Sequence, residues 1–285
     1  QFTEVTSGLA FPEGPIAMPD GSVILVEMFG PRLTRVMPDG TKKTIAEVPG
    51  GPNGAAVGPG GLVYVCNNGA RFQPVEMEGL CFPSGSGPDR YRGGSIDTVD
   101  VNSGKVTTLY THCNGVRLAA PNDLVFDNQG GFYFTDHGYS HERTATLTGI
   151  YYAKADGSLI KEIVFPAHEP NGIGLSPDGK KLNWAETWTG RIMQRDIVGP
   201  GEVSEPSILD TSACLYGFPG FQLLDSLAVD GDGNVCVATL VNGGVTVISP
   251  KGQLVDFFAT GDPLTTNVCF GGPDRSEEHT AELQS

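Results

Sequence analysis

Five stretches of the sequence begin with a side chain that offers an oxygen and run on as a short apolar segment into a tight turn. Glu13 heads Glu-Gly-Pro-Ile-Ala-Met-Pro-Asp-Gly, Asn53 heads Asn-Gly-Ala-Ala-Val-Gly-Pro-Gly-Gly, and Asn122 heads Asn-Asp-Leu-Val-Phe-Asp-Asn-Gln-Gly. Asn171 heads Asn-Gly-Ile-Gly-Leu-Ser-Pro-Asp-Gly, and Asp225 heads Asp-Ser-Leu-Ala-Val-Asp-Gly-Asp-Gly. Taken singly, an Asn or Asp in such a place starts a turn. Repeated in five units with two acids included, the set reads as one group of hard oxygen ligands. Carboxylates and amides brought together repel or stay unsatisfied without a cation. Oxygen donors of this kind suit Ca²⁺, Mg²⁺ or Mn²⁺ better than a thiolate-loving metal. One divalent ion is the expected cofactor, Ca²⁺ first, with Mg²⁺, Mn²⁺ or Zn²⁺ as alternatives.

The elements that must position these oxygens repeat along the chain. Each unit reads as strand, Asp-Gly-like turn, strand, Gly-containing turn, strand, Asp-Gly-like turn, strand. Asp-Gly turns supply the positive φ that hairpins need. Four-stranded units of ~40–50 residues are the signature of a β-propeller, whose innermost strands line a central channel. The expectation is an all-β chain, a six-bladed β-propeller with four-stranded blades and an incomplete last blade.

The first unit runs over residues 14–48. The second, 54–110, carries an insertion over 71–93. The third takes its strands at 123–127, 132–136, 149–154 and 159–165. The fourth takes them at 173–175, 181–185, 191–196 and 206–209. The fifth takes them at 226–229, 234–239, 244–248 and 254–259. The sixth starts at Asn267 and breaks off after Asp274, and the run Phe2 to Leu9 is expected to supply its outermost strand. Residues 1–274 read as one propeller domain. Residues 275–285 (RSEEHTAELQS) lack a β pattern, favour helix by propensity, and read as a tail foreign to the repeat, from a truncated reading frame or from cloning.

Composition narrows the function. The 33 acidic against 18 basic side chains give −15, which argues against nucleic acid or an anionic membrane surface as partner. No apolar run approaches the ~20 residues of a membrane span, and no leader is visible at Gln1, so a cytoplasmic location is expected. The six cysteines have no zinc-type spacing and read as reduced, structural thiols. No Gly-x-Ser-x-Gly elbow and no phosphate-cradling Gly-x-x-x-x-Gly-Lys occur.

Four motifs together resemble the gluconolactonase, regucalcin (senescence marker protein) and luciferin-regenerating enzyme family. They are Phe11-Pro12-Glu13-Gly14-Pro15, Pro121-Asn122-Asp123, Pro170-Asn171-Gly172 with Ser176-Pro177-Asp178-Gly179, and Asp225-Ser226-Leu227-Ala228-Val229-Asp230. The resemblance covers Phe2 to about Asp274. It implies that Glu13, Asn171 and Asp225 bind one divalent metal, that Asn122 is a fourth ligand or a substrate contact, and that lactones are hydrolysed. Some members also take organophosphate esters. An arginine that some sugar-lactone members place two residues before the Asn122 equivalent is here Ala120, which argues away from a sugar acid lactone.

A metal with open positions for water and a lactone carbonyl makes Asp225 the candidate to orient or deprotonate that water. His137, ending a strand in Thr135-Asp136-His137-Gly138, is a candidate proton carrier or a solvated rim residue. Asn53, Asn122 and His137 are the expected substrate contacts. Trp188 either walls a pocket or packs between blades. Two aromatic loops are expected to cover the mouth: the insertion with Phe72, Phe82 and Tyr91, and the stretch 214–221. The expected partner is a small lactone or ester. The rival activities are arylesterase and phosphotriesterase; the rival from another class is a non-catalytic calcium-binding propeller.

Overall fold

A computed structural model describes residues 2–207, 209–272 and 277–282. Among the described residues the chain is all-β apart from two single 3₁₀ turns. Five antiparallel sheets of four or more strands follow one another in sequence order, each running outward from an inner strand. The inner strands are Pro12–Ala17, Pro52–Val57, Pro121–Phe126, Pro170–Leu175 and Leu223–Val229. A two-stranded sheet, Thr265–Gly271 with Glu277–Glu282, comes last. Its first strand packs between the inner strands of the fifth and first sheets, which closes a β-propeller ring at the axis.

Apolar cores between blades hold the ring together, and the second strands show how. Along Gly131–Asp136, Phe132 and Phe134 join Tyr64, Cys66 and Ile96 of the second blade. Tyr133 points the other way, to Ile173, Leu182 and Trp184 of the fourth. A strand buried on both faces needs an unbroken apolar run rather than alternation. Val23-Ile24-Leu25-Val26 in the first blade is another such run. The outermost strand of the fifth blade, Leu254–Ala259, lies where no neighbouring blade reaches, and all six residues are exposed.

Several expectations change. Among the described residues five sheets reach four strands and the last has two. The stretch Glu277–Glu282, expected to be outside the repeat and helical, is a strand paired with Thr265–Gly271. An open sheet edge with unpaired backbone groups outweighs a few tenths of a kcal/mol of helix propensity per residue. Phe2 to Leu9 forms no strand and lies along the first blade, with the Thr6 hydroxyl donating to Gly40 O at 3.0 Å and Lys42 Nζ to Ser7 O at 2.5 Å.

In the fourth blade the outermost strand is Cys214–Gly217; the described residues of 206–209, 208 lying outside the description, form no strand. The stretch 214–221 is thus chiefly blade, not lid, with Leu215, Tyr216 and Phe218 on the core shared with the fifth blade. No disulfide forms among the described residues.

Candidate active site

Every inner strand of the five full blades carries a register irregularity at the same place. Pro52 pairs with Asn67 and Ala55 with Val65, so Asn53 and Gly54 together face one residue of the partner strand. The same two-for-one step holds Asn122-Asp123, Asn171-Gly172 and Asp225-Ser226. In the first blade it follows Glu13 directly. A β-bulge re-aims side chains out of the strict alternation of a strand, so the oxygen-bearing residue and its successor are both displaced toward the axis.

Close approach at the axis is what the small successors permit. A Cβ on Gly172 would lie 2.3 Å from Leu227 N, and one on Gly14 would lie 2.5 Å from Ala55 N. Where the successor has a side chain, it bonds across the ring: Ser226 Oγ donates to Asp123 Oδ2, joining the fifth blade to the third. Asn267 Nδ2 of the last sheet donates to Glu13 Oε2 at 2.9 Å.

The structure brings Glu13, Asn171 and Asp225 together and adds Asp123. Glu13, Asn53, Asn122 and Asn171 are all buried. Burial, with the Asp123 charge adding to it, pushes the Glu13 carboxyl up to about 7 against the hydrogen bonds from Asn267 and Thr266. Burial followed by the Glu13 charge holds Asp225 well above the ordinary carboxylate range, opposed by a hydrogen bond from the Asn171 side chain. Burial raises Asp123 to about 6. Among the described residues no basic side chain is a main influence on any of the three. The Asn171 amide donates to Thr187 Oγ1 at 3.2 Å, while its Oδ1 is buried without a hydrogen-bond partner.

Mutually repelling carboxylates and an unpaired carbonyl oxygen form a donor set that suits a hard divalent cation. Among the described residues no group of three or more His, Cys, Asp or Glu has metal-holding geometry. An ion here would therefore take neutral amide oxygens as well as acids, and the set fits such a group. Below the ring, a cavity of about 240 Å³ continues along the axis between Gly14, Asp123, Ile173, Leu227 and Asn267.

The other expected contacts lie off this cluster. The Asn53 amide faces Met28 Sδ at 4.0 Å. His137 is buried, with Nδ1 3.4 Å from Pro170 O and Nε2 3.5 Å from Glu169 Oε2. Burial, then the nearby Arg71 charge, holds its imidazole well below the usual histidine value, so it is neutral. The insertion packs Phe72, Leu80 and Phe82 on Phe11, Phe29, Met28 and Leu264. Trp188 does not pack between blades; it is 63% exposed, and Trp184 fills the interblade core instead.

A second ring of buried polar residues escapes the strand-heading pattern. Glu27, Asn67, Asp136 and Glu186 end the second strands, each directly opposite the proline that precedes a site residue. Each accepts from backbone N–H groups of the segment leading into the inner strand. Ala10 N donates to Glu27 at 2.8 Å, Gly51 N to Asn67 at 2.9 Å, and His168 N to Glu186 at 3.2 Å. Ala119 N and Ala120 N both donate to Asp136, at 2.7 Å each. These bonds fix the heads of the site strands. The signal was legible as a polar residue closing an apolar strand in four successive units, in Val-Ile-Leu-Val-Glu27 as in Phe-Tyr-Phe-Thr-Asp136.

Geometry of this kind places the chain among propellers with a polar axial site, and the comparisons give the family. The chain belongs to the SMP-30/Gluconolactonase/LRE-like family, which residues 11–277 match. Lactonase drp35 of Staphylococcus haemolyticus is 29% identical over 241 residues, 84% of this chain and 66% of that protein. Its counterpart from Staphylococcus epidermidis is 37% identical over 131 residues, 46% of this chain and 38% of that protein. The chain thus matches between about two fifths and two thirds of the length of these relatives. A gluconolactonase structure from Xanthomonas campestris superposes with a TM-score of 0.76 at 21% identity, covering 96% of this chain and 84% of that one. The calcium-binding protein regucalcin from Agrobacterium tumefaciens gives 0.72 at 17%, covering 96% and 82%. At those identities the two structures establish the propeller fold. No helix among the described residues is long and apolar enough to cross a membrane.

Proposed function

We propose that the chain is a divalent-metal-dependent lactone hydrolase working at the axial mouth of a six-bladed propeller, the two-stranded sheet standing in the sixth position. The carrying observation is the cluster of buried Glu13 and Asp123 with half-buried Asp225, which no ion pair reaches among the described residues, beside the orphaned Asn171 Oδ1. Glu13, Asn171 and Asp225, with Asn122, would hold the ion, Ca²⁺ first. When bound, it supplies a Lewis acid for the lactone carbonyl and neutralises the clustered charge. The lactonase names of the curated relatives and the calcium named for the Agrobacterium neighbour support this reading.

The chain's own residues perform the remaining work. Asp225 accepts the proton of the attacking water. Thr187 holds the Asn171 amide in place. Asn267 and Thr266 hydrogen-bond the Glu13 carboxyl and would orient it toward the ion. Asn53, Asn122 and His137 would contact the substrate farther out, and the insertion with Phe72, Leu80 and Phe82 would keep bulk water off the reacting carbonyl.

A pH-indicator screen of lactones, aryl esters and a phosphotriester, with chelator and with Ca²⁺, Mg²⁺, Mn²⁺ or Zn²⁺ restored, tests the proposal. Metal-dependent acid release from lactones is expected. Release from esters or phosphotriesters alone would move the assignment to those substrates. No release from any would leave a cation-binding propeller.

A further inference from the structure

A second cleft, of about 320 Å³, opens between the third and fourth blades beside the Asn171 edge of the site, among His137, Tyr139, Leu147, His168, Glu169 and Trp188. Its size is at the lower end of small-molecule pockets. Two residues tie it to the site: Glu169 directly precedes Pro170-Asn171, and Trp188 follows Thr187, which holds the Asn171 amide.

One wall of the cleft is rigid. The Tyr139 ring stacks on Tyr91 of the insertion at 3.9 Å with planes 3° apart. The Tyr139 hydroxyl donates to Ser86 O at 3.1 Å, and that of Tyr91 to Ala119 O at 2.8 Å. At the rim Trp188 and Leu147 are 63% and 57% exposed, large apolar groups turned outward beside a cavity.

The polar feature of the cleft is Glu169. Its backbone sits at φ +47, a left-handed conformation that is unfavourable for a non-glycine residue and that persists where the surroundings enforce it. Oε1 faces Arg71 Nη2 at 3.5 Å. Oε2 is buried and has no hydrogen bond, His137 Nε2 at 3.5 Å being too distant for a good one. Oε2 has no donor although the Trp188 side chain hydrogen-bonds the same carboxyl; in a cleft that mixes Leu147 and Trp188 with Ser140, Thr146 and Thr189, that atom is matched by a ligand that carries one N–H or O–H followed by hydrocarbon. A substituent bearing a carboxylate or phosphate would meet the Glu169 charge.

We propose that this cleft is a substituent subsite of the lactonase site, taking an apolar chain or ring joined to the lactone through an N–H or O–H that donates to Glu169 Oε2. The proposal rests on the lactone-hydrolase reading. The substituent lies between Tyr139, Leu147 and Trp188, and the ring reaches the axial cluster past Asn171.

The test compares γ-butyrolactone, its α-hexanoylamino derivative and the matched α-hexanoyloxy derivative, which lacks the N–H. The wild type is expected to favour the amide over the ester-linked compound at least tenfold in kcat/KM, the range of a hydrogen bond to a charged group. Glu169→Met should erase that preference, and Trp188→Ala should erase the gain from the hexanoyl chain. In parallel, the non-hydrolysable γ-lactam carrying the same hexanoylamino group is titrated by tryptophan fluorescence, which reports the exposed Trp188. Saturable quenching, at least tenfold tighter than for the hexanoyloxy lactam, is expected. Equal rates for the two substituted lactones, with γ-butyrolactone still hydrolysed, would overturn the subsite and leave the lactonase reading standing. Failure to open any lactone, with lactam binding intact, would sink the lactonase reading but not the cleft's ligand chemistry. Absent or unselective lactam binding overturns the subsite in either case.

Discussion

Glu13 and Glu27 stand fourteen residues apart in one blade, both buried, and their environments are opposite. Burial works against ionisation of Glu27, but Arg32, the Thr34 hydroxyl and Ala10 N–H outweigh it and hold its carboxyl down to about 2. Glu13 has hydrogen bonds from Asn267 and Thr266, two other carboxyls in its field and no cationic partner among the described residues, and it rises to about 7. The ring to which Glu27 belongs is saturated with donors and serves the fold. The ring to which Glu13 belongs is left short of positive charge, and that shortage is the physical case for an ion. A buried acid is thus diagnostic only once its partners are counted.

The contrast can be broken from either side. The largest effect is expected from Asp225→Asn, which should lower kcat for lactone hydrolysis by roughly 10²–10⁴-fold, the usual share of a general base. The melting temperature of the metal-free protein should meanwhile stay level or rise by a few degrees, because a repelling charge is gone. A near-wild-type rate with metal bound would remove the base role. Glu27→Ala should do the reverse, cutting stability in urea by about 3 kcal/mol, the lower end for a broken buried pair, because Arg32 keeps 36% of its side-chain surface in water. Any effect on turnover should follow the loss of folded protein.

Metal removal sharpens the comparison at the next magnitude. At a hundred times its Kd, a divalent ion should stabilise the chain by about 2.7 kcal/mol at pH 7.5, read as a shift in thermal melting that chelator reverses. Asp225→Asn should shrink that shift.

The smallest effect is in the pH profile without metal. Glu13 and Asp123 titrate higher in the folded chain, at about 7 and about 6, than in the unfolded one. Their contribution is present below about pH 4 and is lost as pH rises through 6 to 7. Glu27 works with the opposite sign: its contribution is present above about pH 4.5 and is lost as pH falls toward 2. Melting curves in chelator should therefore peak on the acid side of neutrality. A monotonic rise to pH 8 would mean that the acidic cluster already has a cationic partner.

The propeller was legible because its signals are local. Asp-Gly turns, apolar second strands and a recurrent strand head all lie within units of one blade. What failed lay at seams between units. Whether Phe2–Leu9 forms a strand, and whether 277–282 does, depends on which sheet edge is open nearby, and no local pattern carries that. The outermost strand of the fourth blade went to 214–217 rather than 206–209 for the same reason.

The chain on its own determined which residues head the inner strands, since period, turn chemistry and side-chain type are properties of short segments. Only the tertiary structure decided that Asp123 joins Glu13 and Asp225, that Asn171 Oδ1 is left without a donor, and that Glu27 is quenched by Arg32 while Glu13 is not. The cause is geometric. A bulge turns two adjacent residues toward one axis, and burial of a charge depends on neighbours contributed by distant segments of the chain, as Asn267 is for Glu13.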